Sequence, residues 1–259
     1  MANIVHASAG TSKNLAVTGT VVELPHLDNI LFDFQIDYGI SKTGTSITSW
    51  ARKTGACDYD DPTNVTADSA NKLMGIDTVK LAAGRFITSN GHAGGRYWHN
   101  TPANRVIPIA FIAKLPASAD IYWCSSYTGG NYTTFKISLT TTKLIVTWII
   151  DGERIPHTAE FTHGVSITDW NTYMVVIDYV SQTIDAAVNG VSLGKITGIT
   201  DLIWFALSPD SSHHDAIGAG YTGTASLNIA ALIGWKAISF TEDDYLNAYM
   251  FLKMKYGLE

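Results

Sequence analysis

The sequence predicts an all-β chain: a two-sheet antiparallel β-sandwich of jelly-roll type with one C-terminal α-helix. Three observations carry this. Apolar residues alternate with polar ones in many short stretches bounded by turn formers, which is the pattern of half-buried strands. Of 259 residues, 46% are hydrophobic and 15% charged, so there is ample apolar surface for a core and less charge than the ~25% of an average domain. Helical periodicity appears once, in the closing "FTEDDYLNAYMFLKMKYGL".

Each element follows from its own residues. Residues 1–25 are small and polar, with weak alternation in "LAVTGTVVEL", and are expected to form an N-terminal arm or attachment strand; residues 26–259 form one domain. In "NILFDFQIDYG", Ile30, Phe32, Phe34 and Ile36 share one face of a strand. The next stretch, through "DYDDPTNVTADSANKLMG", is rich in turn formers and shows one short strand ending at Trp50. "DTVKLAAGRFITS" reads as a strand pair or a bent strand, and "NGHAGGRYWHNTPAN" as a Gly-rich loop. Strands follow in "RVIPIAFIAKL", "ADIYWCSSY", "YTTFKISLT" and "KLIVTWII". "TYMVVIDYV" is apolar almost throughout, which suits the centre of a sheet. Asn189-Gly190 supplies the two positive-φ positions of a type I′ hairpin turn. "LIWFALS", "AIGAGY" and "LNIAALIGWKAISF" complete the strands.

The helix is well specified at both ends. Thr241 is a good N-cap and Asp244, three residues on, completes a capping box. Glu242, Asp243 and Asp244 favour the positive end of the dipole, and Lys253 and Lys255 the negative end. Tyr245, Ala248, Tyr249, Leu252 and Tyr256 form one apolar face, and Gly257 can take the left-handed position past the end.

The formal net charge is -6, without a basic stripe, so nucleic acid is not an expected partner. No apolar run reaches the ~18 residues of a spanning helix, so membrane insertion is not expected. Cys57 and Cys124 have no metal-binding spacing and read as reduced thiols. "MANIVHASAGTSKNLAV" lacks the pattern of a secretory signal, so synthesis in a cytoplasm is expected, with release by lysis or inside a particle.

The order of four stretches resembles the concanavalin A-like superfamily, in its laminin G-like jelly-roll branch. These are "LFDFQIDYG" with "GTSITSWARKTGACDYD", then "GIDTVKLAAGRFITS", then "DWNTYMVVIDYVSQTIDAAVNGVSLG", and last "LNIAALIGWKAISFTEDDYLNAYMFLKMKYGL". The resemblance implies that the last strand pairs back toward the first, with the helix near that closure. Together with the missing signal, it implies a non-catalytic bacteriophage virion protein, a tail-fibre, receptor-binding or capsid-decorating module. Its partners would be other virion subunits, reached through the arm, and a cell-surface polysaccharide, with assembly as a homo-oligomer. A purely structural decoration protein and a glycan hydrolase are the alternatives.

A hydrolase needs two carboxyl groups ~5–5.5 Å apart for retention or ~6.5–9.5 Å for inversion. Asp33 and Asp37 are the nearest pair, but four residues on a strand span ~13 Å, and Gln35 between them cannot act as an acid. "GVSLG" matches a nucleophile motif but sits on a hairpin turn rather than before a helix. "SSHHD" reads as a polar loop, and no third metal ligand stands near it. Asp58, Asp60, Asp61 and Asp68 read as a solvated turn; no cofactor is expected, and calcium is kept open because some members of the family bind it.

Glycan binding is the chemistry the resemblance makes natural, since a sugar offers faces for stacking and hydroxyls for directed hydrogen bonds. By residue type the candidates are His92, Arg96, Tyr97, Trp98, His99 and Asn100 in one loop. Tyr127, Asn131 and Tyr132 stand in a second loop, and Asp210, His213 and His214 in a third. Trp50, Trp123, Trp148, Trp170, Trp204 and Trp235 lie in strand patterns and are assigned to the core.

Overall fold

The computed structural model describes residues 22–53, 59–87, 106–127, 132–149, 156–199, 212–218, 225–236 and 239–258. At 87, 124–127, 132–134, 149 and 212–215 only the backbone is described. A 3-10 turn at Leu27–Asn29 precedes strands β1 (Ile30–Gln35), β2 (Ile40–Thr43), β3 (Ser46–Trp50), β4 (Asp61–Leu73) and β5 (Ile76–Ile87). Then come β6 (Val106–Lys114), β7 (Ala119–Tyr127), β8 (Tyr132–Leu139), β9 (Lys143–Ile149) and β10 (Pro156–Thr162). The last are β11 (Asn171–Asp178), β12 (Thr183–Val188), β13 (Val191–Ile196), β14 (Ser212–Gly218), β15 (Ala225–Trp235) and the helix α1 (Glu242–Tyr256).

The strands form one antiparallel path, β10-β9-β8-β7-β14-β5-β15-β6-β11-β12-β13, which β5 folds into two layers. Its first part pairs with β15, from Val79 to Gly84, and its last three residues pair with β14. The break falls at Ala83, φ 49°, and Gly84. A Cβ on Gly84 would meet the Thr63 carbonyl oxygen at 2.3 Å, so the strand can turn the corner only with glycine there. The bent-strand reading of this stretch is the one the chain adopts.

β6 holds one edge of β15 from Asn228 to Gly234, and the edge that β5 takes up to Ile229 is continued by β1, which pairs from Ala231 to Trp235. The last strand thus pairs back to the first. Between the layers, the rings of Phe32 on β1 and Tyr122 on β7 lie 6.0 Å apart, and Phe34 packs on Trp50 and Tyr59. Phe32 also lies over Gly234, where a Cβ would sit 2.3 Å from the ring. The edges β10 and β13 lie beside each other, so the sandwich is close to a barrel. β6 and β11 are buried nearly end to end, which explains their unbroken apolar runs.

Two segments depart from the sequence reading. "DPTNVTADSANKL" is not a run of turns but the 13-residue strand β4. Its register breaks at Thr63/Val65 and again at Asp68/Lys72, and much of it is exposed, so no clean alternation shows. β10 was not foreseen; it is an edge strand that opens with Pro156, a residue edges tolerate.

α1 has the expected capping box between Thr241 and Asp244 and the left-handed Gly257, φ 63°. Asn189 (φ 49°) and Gly190 (φ 75°) form the expected hairpin turn, so the "GVSLG" serine lies in β13, not on an elbow. α1 buries Ala248, Leu252, Lys255 and Tyr256. It lies on the outer side of the layer holding β1 and β11, because Phe32 and Phe34 point inward and α1 meets Gln35, which alternates with them. Tyr249 seats on Gly190, where a Cβ would come within 2.5 Å of the ring.

Candidate functional site

Three adjacent strands bring part of the predicted glycan site together. Ser126 on β7 lies opposite both Tyr132 on β8 and His213 on β14. Tyr127 lies opposite Ser212, and His214 opposite Ser125. Tyr127, Tyr132, His213 and His214 therefore sit at one end of three neighbouring strands, ~10 Å across at the usual strand spacing. The "SSHHD" stretch is a strand rather than a polar loop: its ladder to β7 runs from Ser212 to Ile217.

β5 ends at the same end of the sheet, with Ile87 opposite Ala216, so the chain bearing His92, Arg96, Tyr97, Trp98, His99 and Asn100 departs from there. Those six residues, Asn131 and Asp210 lie outside the described residues. β9 also ends there, and it contributes a pair that the sequence reading missed. Trp148 and His157 stack across β9 and β10, with centroids 5.7 Å apart and planes at 20°. Trp148 was assigned to the core and is indeed 9% exposed; His157 is half-buried. Only the β9–β10 register unites them, and β10 itself gave no strand signal. Trp50, Trp123 and Trp235 are buried as expected, Trp170 is half-buried beneath the Lys114 ammonium, and Trp204 lies outside the described residues.

The carboxylates on and after β1 have a different surrounding. Asp33 is buried and accepts a hydrogen bond from the Gln35 amide. Burial raises its pKa, against the hydrogen bond and the nearby lysines. Asp37 lies in the turn after β1. Burial alone would raise it too, but Lys255 (3.0 Å) and Lys53 (3.7 Å) hold it below the usual carboxylate range. Lys255 also donates to the Gln35 side-chain oxygen, as does the Tyr256 hydroxyl at 3.3 Å. Burial, with Lys53 nearby, lowers Lys255 to about 8 against the pull of Asp37. Lys255 and Tyr256 thereby tie α1 to Gln35 and Asp37, and Gln35 stands between the two acids.

Among the described residues no three His, Cys, Asp or Glu side chains are grouped to hold a metal ion. Asp58 lies outside the described residues, and Asp61 opens β4. Asp68 sits within β4 and accepts from the Ala70 N–H and from the Asn71 and Asn228 amides. Burial would raise it; those hydrogen bonds hold it low.

No protein-family model and no curated protein sequence matches the chain. Solved structures do. One is botulinum neurotoxin type C, whose route into cells depends on interaction with two ganglioside molecules. It is 14% identical, with a TM-score of 0.59, over 88% of this chain and 52% of that one. Another is the binding domain of botulinum neurotoxin DC in complex with rat synaptotagmin II, 14% identical with a TM-score of 0.58, over 88% and 52%. The same binding domain in complex with SialylT is 13% identical, with a TM-score of 0.57, over 88% and 52%. The likeness is one of fold. The chain spans about half the length of these structures.

Proposed function

We propose that the chain is a non-catalytic, lectin-like module of a bacteriophage virion, in a tail fibre, receptor-binding protein or capsid decoration, that binds a surface glycan. The observation that carries the binding reading is the register that sets Tyr132 and His213 in one row, both opposite Ser126, with Tyr127 and His214 in the rows next to it. Solved structures of this fold that engage gangliosides or a sialyl sugar support it by analogy. The virion setting rests on the resemblance to laminin G-like modules. Residues 1–25 would attach the domain to a neighbouring subunit, in a homo-oligomer. The packing of Leu24 in the core and the Pro25 carbonyl on Trp235 set any arm deletion at residue 21 or before. A non-catalytic role is supported by Asp33 and Asp37, which are engaged with Gln35, Lys53 and Lys255 rather than facing each other across a cleft.

The test is retention on a bacterial polysaccharide array by the intact chain and by Tyr132→Ala/His213→Ala. Glycan-specific retention that drops at least tenfold in the variant is expected. A chain that sediments with purified particles yet retains no glycan favours the purely structural reading. Release of reducing sugar, abolished by Asp33→Asn, would overturn the non-catalytic one.

A further inference from the structure

A cavity of about 470 Å³ lies between the start of α1 and the outer sides of β12 and β13. That is within the ~300–1,000 Å³ of small-ligand sites. In the strand path, β5, β15, β6 and β11 separate β12 from β7, β8 and β14. α1 is seated beside the cavity by Tyr249, whose ring lies against Gly190. Toward the start of α1 the sheet offers Ala187, Ser192 and the pair Asp185 and Lys195, and these leave the space beneath the helix open.

The lining combines three kinds of group. Phe240 and Tyr245, edge to face at 5.4 Å, and Leu246, 49% exposed, form an apolar side. The Lys195 ammonium and the Asp185 carboxylate, 3.0 Å apart, set donors beside acceptors. The Ser192 hydroxyl accepts from the Gly194 N–H at 3.1 Å and keeps its own proton to donate. Such a set suits a ring that offers a C–H face for stacking and neighbouring hydroxyls for paired hydrogen bonds. Glu242 and Asp243 complete the lining. The capping box uses Asp244 rather than these two, and they make no ion pair among the described residues. Lys195 offsets Asp185, so Glu242 and Asp243 leave the cavity negative next to aromatic rings. That combination favours a cation and disfavours an anionic ligand.

We propose that this cavity binds an amino sugar. The pyranose ring lies against Phe240, Tyr245 and Leu246, its ammonium meets Glu242 and Asp243, and its hydroxyls bridge Asp185 and Lys195. The site is separate from the strand ends of the proposed function and does not depend on them.

Calorimetric titration of the intact chain tests this at about pH 6, where amines are protonated and Asp and Glu ionised. The probes are a glucosamine disaccharide, its N-acetylated form and a straight-chain alkyl diamine. Saturable binding of the glucosamine disaccharide is expected, with each of the other two at least tenfold weaker. The acetylated form isolates the charge, and the diamine isolates the ring. Glu242→Gln/Asp243→Asn should abolish the preference for the free amine. Ser192→Trp, at an exposed position of β13, should fill the cavity and weaken binding at least tenfold. Tyr132→Ala/His213→Ala should leave the affinity unchanged. Absence of saturable binding, equal binding of the acetylated form or of the diamine, or a preference for the amine that survives Glu242→Gln/Asp243→Asn overturns the proposal. So does a loss that follows Tyr132→Ala/His213→Ala. Each reading is tied to its own variants, so the two fail separately.

Discussion

The molecule carries two clusters of polar and aromatic residues that look alike in sequence and differ in what surrounds them. Around β1 and α1, Asp33, Gln35, Asp37, Lys53, Lys255 and Tyr256 are joined to one another by hydrogen bonds and ion pairs, most of them buried. At the ends of β7, β8 and β14, Tyr127, Tyr132, His213 and His214 are brought together by strand register alone. The first cluster spends its polarity on holding a helix to a sheet. The second stands where several connecting segments leave the sandwich. Carboxylates beside lysine and tyrosine are engaged with one another here, and the candidate for binding lies at the other cluster.

The sharpest way to break this contrast is Lys255→Ala. Removing Lys255, which is 8% exposed, takes the nearer of its two cations from Asp37, leaving only Lys53, and takes a charged donor from the buried Gln35 oxygen. A loss of about 3 kcal/mol is expected in urea unfolding. Lys255→Met, which keeps the aliphatic stem, should lose less. A loss below about 1 kcal/mol for Lys255→Ala would mean that the cluster is not a latch and would reopen Asp33 and Asp37 to a catalytic reading.

Asp37→Asn tests the same cluster through pH. The folded Asp37 titrates below its ordinary value of 3.8. Its contribution is therefore fully present above about pH 4 and is lost as pH falls through the folded value. A loss of about 1.5 kcal/mol at pH 7 is expected, from hydrogen bonds made to a charged group. The gap between wild type and variant should narrow as pH falls below 4. A gap that stays unchanged from pH 7 to pH 2.5 would remove the ion pairs from the explanation.

What was legible in the sequence was what local rules decide. Thr241, Asp244 and Gly257 fix the ends of α1 within a few residues of chain, and Asn189-Gly190 fixes its hairpin. β4 was not legible because its bulges at Asn64 and near Asp68 scramble the alternation that marks a strand. Lys255 read as a helix-dipole residue; its partner Gln35 is 220 residues away, and nothing near either predicts the contact. The candidate site was half legible. Residue type nominated Tyr127, Tyr132, His213 and His214, but the ladders among β7, β8 and β14 decide that they are neighbours. The same ladders added Trp148 and His157, which no spacing had joined.

Thr241→Ala should cost about 1 kcal/mol, the usual worth of an N-cap hydroxyl. Here the Thr241 hydroxyl accepts from the Asp244 N–H and donates to its carboxylate, which also lies 3.2 Å from His26. The change therefore also probes whether residues 22–29 are held by the helix start. Faster hydrogen exchange in that stretch as well as in the first turn of α1 is the expected result. Exchange confined to the helix would show that the two are independent.

The smallest effect on stability is expected at the loop-bearing end, and that is what makes it decisive. If Tyr127, Tyr132, His213 and His214 serve binding, single alanine substitutions should change the free energy of unfolding in urea by less than about 0.5 kcal/mol, as surface changes do. The same substitutions should lower glycan retention. If they instead cost as much as Lys255→Ala, the residues belong to the frame of the sandwich, and the contrast between the two clusters disappears. A double substitution separates these outcomes further. Partners in one binding site need not couple in stability, whereas side chains packed on each other across the intervening β7 give an interaction energy of about 0.5 kcal/mol or more. A near-zero coupling between Tyr132→Ala and His213→Ala, with retention lost in both, would place the site at these strand ends.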